Sequence, residues 1–307
     1  MGLYDQLTLN VGNNANATQN RYNNRSNGIY WEVPLGYVGL QLGATSSSYL
    51  QTLPGYVSDL SYTGQTREHF INLSDVIYRN SNSKGTLNLK LARKRSDSYI
   101  DGTEIDVQRK DCLYAGLRWA HRYYRADQRY TLGLNYKTGL PELSNVTGYV
   151  YGEPDWNGQF TVWTLNASAS IPFQFGHTQW HYNGTLKVQR GSRSLPASEY
   201  FSIGNRYTVR GTDETYGLSA EDGLLLRNDI AYRYAPNQHI YLGLDWGLTH
   251  GPSVSHAQGR SMAGAVIGAK GYYKGLSYDL NAGYPIHRPK RVHQNGPAIT
   301  GSLSYSF

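Results

Sequence analysis

Ile299-Thr300-Gly301-Ser302-Leu303-Ser304-Tyr305-Ser306-Phe307 closes the chain and decides how the rest of it is read. Every second residue gives Ile, Gly, Leu, Tyr and Phe; those between are Thr, Ser, Ser and Ser. Side chains alternate across a β-strand with a period of two, so one face of this segment is greasy and the other wet. In a soluble sandwich the wet face is the surface. In a membrane barrel the greasy face meets lipid and the wet face lines an aqueous lumen.

Composition separates these two. Mean hydropathy is -0.56 and only 39% of residues are hydrophobic, which argues against spanning helices. No stretch approaches the roughly 18 consecutive apolar residues such a helix needs. A barrel needs apolar residues only at alternate positions. The unusual counts are Tyr 28 and Gly 34 against Phe 6 and Met 2. Tyrosine suits interfacial girdles and wet lumens, and glycine suits tight bends and close backbone contacts, whereas a soluble core favours Leu, Ile and Phe.

The same alternation recurs along the chain, almost without helical periodicity. Segment 128–139 sets Tyr130, Leu132, Leu134 and Tyr136 against Thr131, Gly133, Asn135 and Lys137. Segment 84–95 alternates Leu87, Leu89 and Leu91 with Asn88, Lys90 and Ala92, and 178–191 gives Trp180, Tyr182, Gly184, Leu186 and Val188 on one face. Around 238–249, Ile240, Leu242, Leu244, Trp246 and Leu248 alternate with Tyr241, Gly243, Asp245, Gly247 and Thr249. Strand and turn signals give about fourteen such strands. Between them, long connections near 13–27, 54–63, 96–103, 138–157, 191–223, 249–260 and 286–297 take turns with short ones. The short ones lie at 34–36, 80–82, 125–127, 174–177, 235–238 and 273–275. Long–short alternation is what an up-and-down barrel produces when its two rims face different compartments. The expected fold is all-β, a transmembrane antiparallel up-and-down β-barrel filling residues 1–307 as one domain. Its short turns are expected in the periplasm, and the final strand and C-terminus end there too.

Charge narrows function further. The net charge is +7 and the pI near 9.2, but Lys and Arg are scattered rather than gathered on one face, so no nucleic-acid partner is expected. The run Arg93-Lys94-Arg95 is expected where a strand enters a loop, and solvated. On the polar strand faces, Arg118, Lys187, Arg227, Asp229 and Arg233 are candidates to line the lumen. Cys112 is the only cysteine, which excludes a disulfide frame and a cysteine metal cluster. No metal and no cofactor is expected, since no Gly-rich loop followed by Lys-Ser/Thr occurs. An enzyme is not expected either, because no serine–histidine pair has the strand-face placement and orienting carboxylate that nucleophilic catalysis requires. Met1-Gly2-Leu3-Tyr4-Asp5 lacks the basic start and apolar run of a signal peptide, so a mature segment or a fragment is expected.

The connection 191–223 carries the remaining signal. It contains Phe201-Ser202-Ile203-Gly204-Asn205-Arg206-Tyr207-Thr208-Val209-Arg210-Gly211-Thr212, and later Gly217-Leu218-Ser219-Ala220-Glu221-Asp222-Gly223 followed by Leu224-Leu225-Leu226-Arg227-Asn228-Asp229. The Val-Arg-Gly tripeptide resembles that of the outer-membrane protein assembly and secretion superfamily. Leu-Leu-Arg-Asn and Asp245-Trp246-Gly247 resemble its two-partner secretion branch, the haemolysin secretion and activation proteins. Pro34-Leu35-Gly36-Tyr37, Val76-Ile77-Tyr78-Arg79 and Thr103-Glu104-Ile105-Asp106-Val107-Gln108-Arg109 add to it in the family's order. The terminal strand, with Leu303, Tyr305 and Phe307, resembles the assembly signal of Gram-negative outer-membrane barrels.

The resemblance implies sixteen strands preceded by two POTRA domains and a plug helix, so that this chain begins at the third strand near Asp5. It implies a long loop folded into the barrel, latched through Val209, Arg210 and Gly211 to Asp245 and Gly247. Independently, Leu244 and Trp246 facing lipid turn Asp245 inward, where a carboxylate is tolerated. In a wet lumen, losing one partner of the pair is expected to cost about 1–3 kcal/mol. Thr212 and Asn205 depart from the family pattern, which has an aromatic residue and a second glycine there. The implied function is an outer-membrane translocator that secretes, with activation as a further option, a large exoprotein such as a haemolysin, adhesin or contact-dependent toxin. Its implied partners are the unfolded passenger, outer-membrane lipid and the barrel-assembly machinery. A barrel-assembly insertase of the same superfamily and a diffusion porin remain open at this point.

Overall fold

A computed structural model of the protein describes residues 4–14, 22–53, 60–144, 150, 155–212, 217–254, 259–289 and 296–306. Its strands, in chain order, are β1 (Gln6–Asn14), β2 (Tyr22–Leu35), β3 (Val38–Leu53), β4 (Leu60–Arg79), β5 (Ser83–Ile100) and β6 (Thr103–Glu104). They continue with β7 (Lys110–Arg125), β8 (Gln128–Gly139), β9 (Thr161–Phe175), β10 (Thr178–Gly191), β11 (Phe201–Ile203) and β12 (Leu218–Ala220). The last five are β13 (Asp222–Ala235), β14 (Gln238–His250), β15 (Ser261–Tyr273), β16 (Leu276–His287) and β17 (Ala298–Tyr305). No α-helix occurs among the described residues.

Fourteen strands follow one another in a single sheet path, β1-β2-β3-β4-β5-β7-β8-β9-β10-β13-β14-β15-β16-β17, each beside its neighbour in sequence. The small β6 pairs with the end of β5, and β11 with β12 forms a separate two-stranded sheet. Sequential antiparallel pairing is the up-and-down order expected from the alternating connections. The short turns are where the sequence puts them: Gly36, Ala126, Gly176, Asn237 and Gly275 all take positive φ at such reversals.

Two compact units share the chain. The first comprises residues 1–78, 85–119 and 135–161. In it, Leu7, Trp31, Leu42 and Ile71 are partners in register across β1 to β4 and lie on the exposed apolar face. On the opposite face Lys90 bonds Glu68 at 2.5 Å and sits 4.2 Å from the centroid of the Phe70 ring, while Lys137 stands 3.7 Å from that of Tyr114. Cys112 is buried on β7.

The second unit comprises residues 79–84, 120–134 and 162–307. Alternation is sharpest on β14: Leu242 is 64% and Leu244 60% exposed, against 2% for both Tyr241 and Asp245. Trp246, Ile267, Leu280, Leu303 and Tyr305 share the exposed face, and the other face is covered by the loop described below. Exposed aliphatic side chains on this scale are at home in hydrocarbon, not water. A charge placed there should be costly. Leu244→Arg is expected to destabilise the inserted protein by about 2–4 kcal/mol if it lies near the bilayer midplane; unfolding by urea in lipid vesicles measures this, and an unchanged midpoint would remove β14 from the lipid face.

One expectation needs correction. The long connection placed near 96–103 is mostly strand, because β5 runs on to Ile100 and turns at Asp101-Gly102 into β6. The Arg93-Lys94-Arg95 run therefore lies within β5, and it is not merely solvated. Arg93 forks onto Asp111 of β7 with two bonds of 2.8 Å, and Arg95 reaches Asp97 at 3.4 Å. From Arg93 to Ser98 the strand is polar on both faces, so hydropathy loses its period while backbone pairing continues. Phe307 of the proposed assembly signal lies outside the described residues, as do parts of the connections near 13–27, 54–63, 138–157, 191–223, 249–260 and 286–297.

Candidate functional site

The connection between β10 and β13 folds back over the polar face of β13 to β16. Its base is fastened first. Arg190 pairs with Asp222 at 2.7 Å, the Gly191 N–H donates to the same carboxylate, and Gln189 donates to the Glu199 and Glu221 carbonyls. The hairpin β11–β12 then lays Phe201 and Ile203, together with Val209, against Leu225 of β13 and Met262 of β15 in a small dry cluster. Gly247 is what admits it, since a Cβ there would stand 2.9 Å from Ile203 and 3.0 Å from Val209.

Beyond this cluster the chain turns at Asn205–Thr208. The Asn205 side chain accepts from the Tyr207 N–H at 2.9 Å and the Thr208 hydroxyl at 3.0 Å, so the asparagine is what ties this turn together. Thr212 is likewise satisfied: its hydroxyl donates to the Val209 carbonyl at 2.8 Å and closes the loop tip.

Between them lies Arg210. Its Nε and Nη2 donate to the two oxygens of Asp245 at 2.7 and 2.8 Å, and its backbone N–H adds a third bond to that carboxylate at 3.0 Å. Nη2 also donates to Asp229 at 2.5 Å. A planar guanidinium matched to a carboxylate in this way is both directional and strong. Side-chain exposure is 6% for Arg210, 0% for Asp245 and 18% for Asp229. The pair is thus drier than the sequence suggests, and the larger cost of breaking a buried pair applies rather than 1–3 kcal/mol. Burial by itself lowers the Arg210 pKa, but the Asp245 and Asp229 carboxylates outweigh it and raise the pKa above its ordinary value. Arg227 braces the arrangement, donating to the Tyr207 carbonyl at 2.8 Å with Nε 3.6 Å from Asp245. Two cations and two anions balance.

The tip rests on glycine. Gly211 has φ +85° and its Cα lies where a Cβ on Gly283 would come within 2.7 Å, while a Cβ on Gly264 would collide with the Arg210 carbonyl. Loop and wall meet backbone to backbone.

Strand register explains the placement. Arg227, Asp245 and Gly264 are successive partners across β13, β14 and β15, and Asp229 and Gly243 follow one pair along. Of the sequence candidates, Val209, Arg210, Gly211, Asp245, Gly247, Arg227 and Asp229 come together here. Lys187 and Arg233 face the same side of the sheet away from the clasp, and Arg118 lies on β7 in the other unit. Sequence reasoning missed Gly243, Gly264 and Gly283, whose signal is glycine at every fourth residue on the inward face of β14 (Gly243, Gly247) and β15 (Gly264, Gly268), with Gly283 beside them on β16. It also missed Glu221, a buried acid that accepts from the Ser253 hydroxyl at 2.9 Å and ties β12 to the next connection. Among the described residues no group of three or more His, Cys, Asp or Glu could hold a metal ion.

Comparison with known proteins now bears on this geometry. The profile of the haemolysin secretion/activation protein family ShlB/FhaC/HecB matches residues 1–271. The chain belongs to this family. As a ShlB/FhaC/HecB protein it is 28% identical over 294 residues to the outer membrane transporter CdiB-2 of Burkholderia pseudomallei strain 1026b, covering 94% of this chain and 50% of that protein. It is 27% identical over 312 residues to the hemolysin transporter protein ShlB of Serratia marcescens, covering all of this chain and 55% of that one. The solved structure of CdiB from Acinetobacter baumannii superposes with a TM-score of 0.84 at 25% identity, over 99% of this chain and 54% of that chain. The chain spans about half the length of the curated relatives it matches. Its fold class is the transmembrane antiparallel up-and-down β-barrel, in the Gram-negative outer membrane.

Proposed function

We propose that the chain is the translocating barrel of a two-partner system, passing a large exoprotein such as a haemolysin, adhesin or contact-dependent toxin through its lumen as unfolded polypeptide. The observation that carries this is the Arg210 clasp. A long loop is seated on the lumen wall by a neutral set of polar contacts and a small apolar patch, a closure that can be opened and remade. A diffusion porin has no use for one. Residues 1–307 act as one barrel domain, with Val209, Arg210, Gly211, Asp245 and Gly247 as the latch and Asp229 as its second anchor. The short turns and the C-terminus face the periplasm. Leu303, Tyr305 and Phe307 present the last strand to the barrel-assembly machinery, and the exposed aliphatic face is solvated by outer-membrane lipid. The passenger's own folding outside supplies the driving force.

The test is export in a host lacking the chain's gene. A large exoprotein expressed in the same host should reach the medium only when the full-length gene is restored, with the levels of other outer-membrane barrels unchanged. Export without it would refute the proposal, and a general fall in other barrels without it would favour an assembly role instead.

A further inference from the structure

Near the short turns, one rung of the lumen face is unlike the rest. Across β10, β13, β14, β15 and β16 the partners in register are Gln179, Arg233, His239, Lys270 and Asp279. Three nitrogen-bearing side chains thus stand on three adjacent strands, the charged groups of Arg233 and Lys270 on either side of the His239 imidazole. The acid of the rung, Asp279, is the register partner of Lys270 but is bonded to the Tyr241 hydroxyl at 2.8 Å, while Lys270 lies over the Tyr241 ring, 5.1 Å from its centroid. Arg233 donates only to the neutral Gln179 amide, at 2.6 Å. Neither Arg233 nor Lys270 is in an ion pair among the described residues. His181 lies one pair further along β10 on the same face, held by Ser170 and Asn183, and Arg129 faces the same side on β8. A cavity of about 500 Å³ opens at this rim, lined by Gln174, Gln179, His181, Arg233 and His239, with Asp127 at its turn.

The contrast with the clasp is instructive. There every cation is paired with a carboxylate; here Arg233 and Lys270 have no bonded carboxylate among the described residues, so an anionic group in the lumen meets charge not yet spent on a partner. We propose that this rung is an intake site for carboxylate-bearing segments of an extended polypeptide. Flexible Arg and Lys side chains suit it, since they follow a moving carboxylate without fixing its register. The amides of Gln174 and Gln179 add donors that are indifferent to sequence. The inference rests on the translocation reading above and names one feature of the chain that would be handled.

The experiment uses the full-length protein in neutral detergent and fluorescent oligoglutamate, oligoserine and oligolysine peptides. Wild type should bind oligoglutamate about tenfold more tightly than oligoserine at low ionic strength. Arg233→Gln combined with Lys270→Gln should abolish that preference, while Arg67→Gln, on β4 in the other unit, should preserve it. Heat-modifiable gel mobility checks that each variant is folded. An oligoglutamate preference absent in wild type, or intact in the double variant, would overturn the site and reduce the rung to a host for small counterions. Failure of export in the complementation test above would overturn translocation instead, whatever the peptides do.

Discussion

Asp245→Ala is expected to destabilise the folded barrel by about 3–5 kcal/mol, the cost of stripping one partner from a buried ion pair. It removes three hydrogen bonds at once, from the Arg210 backbone N–H, Nε and Nη2, and leaves two guanidinium groups to share Asp229. Arg210→Ala should cost less, because its backbone N–H still reaches Asp245 and Arg227 still offsets the carboxylates. The double variant should cost less than the sum of the two, since the second change removes a charge that the first left stranded. Melting followed by heat-modifiable mobility in detergent measures the cycle. Exoprotein release, at equal barrel content in the membrane, measures the function and should fall for both single variants. Normal release by both, with unshifted melting, would dissolve the latch.

Gly264→Val tests the other half of the seat. Any Cβ at this position meets the Arg210 carbonyl, and a branched side chain forces the tip off the wall. Overpacking of this kind costs about 1–3 kcal/mol in a close-packed interior. The functional effect should be larger than the energetic one, because Arg210 cannot keep its two-pronged grip once its backbone has moved. The variant should show raised conductance in planar bilayers and new protease cleavage within 204–217. Gly296→Ala, where a Cβ would meet nothing within 4 Å, serves as the comparison and should behave as wild type. Wild-type conductance and cleavage in Gly264→Val would mean that the tip does not rest where it is described.

Much of this architecture was legible because a lipid-facing wall writes period two into the chain more strictly than a water-facing one. Leu244 and Trp246 turn Asp245 inward without any knowledge of its neighbours, and the six short turns along the main sheet path were found from their residues, though the Asp101-Gly102 turn into β6 was not. What could not be read was lateral. That Asp229 lies beneath the guanidinium depends on where the loop tip settles on the β13–β14 pair, where Asp229 stands opposite Gly243 and the wall is open. The turn at 235–238 and the bulge beside it fix that pair, but nothing in the order of residues fixes where the tip lands. The continuation of β5 through Arg93 and Arg95 was missed for the converse reason: its pairing is set by the backbone and by Asp111, after hydropathy has ceased to alternate. The dry setting of Arg210 depends on Ile203, Leu225 and Met262 arriving from three separate strands.

The seat also comes later in the chain than the part that sits in it. Arg210 precedes Asp245 by 35 residues, and Gly211 lies against backbone at Gly283 and Tyr284, two strands further on. Contacts so distant in sequence form only after the intervening chain has closed its own shorter circuits. Seating of the loop therefore waits until β14, β15 and β16 stand side by side; until then the newly made wall has no stopper.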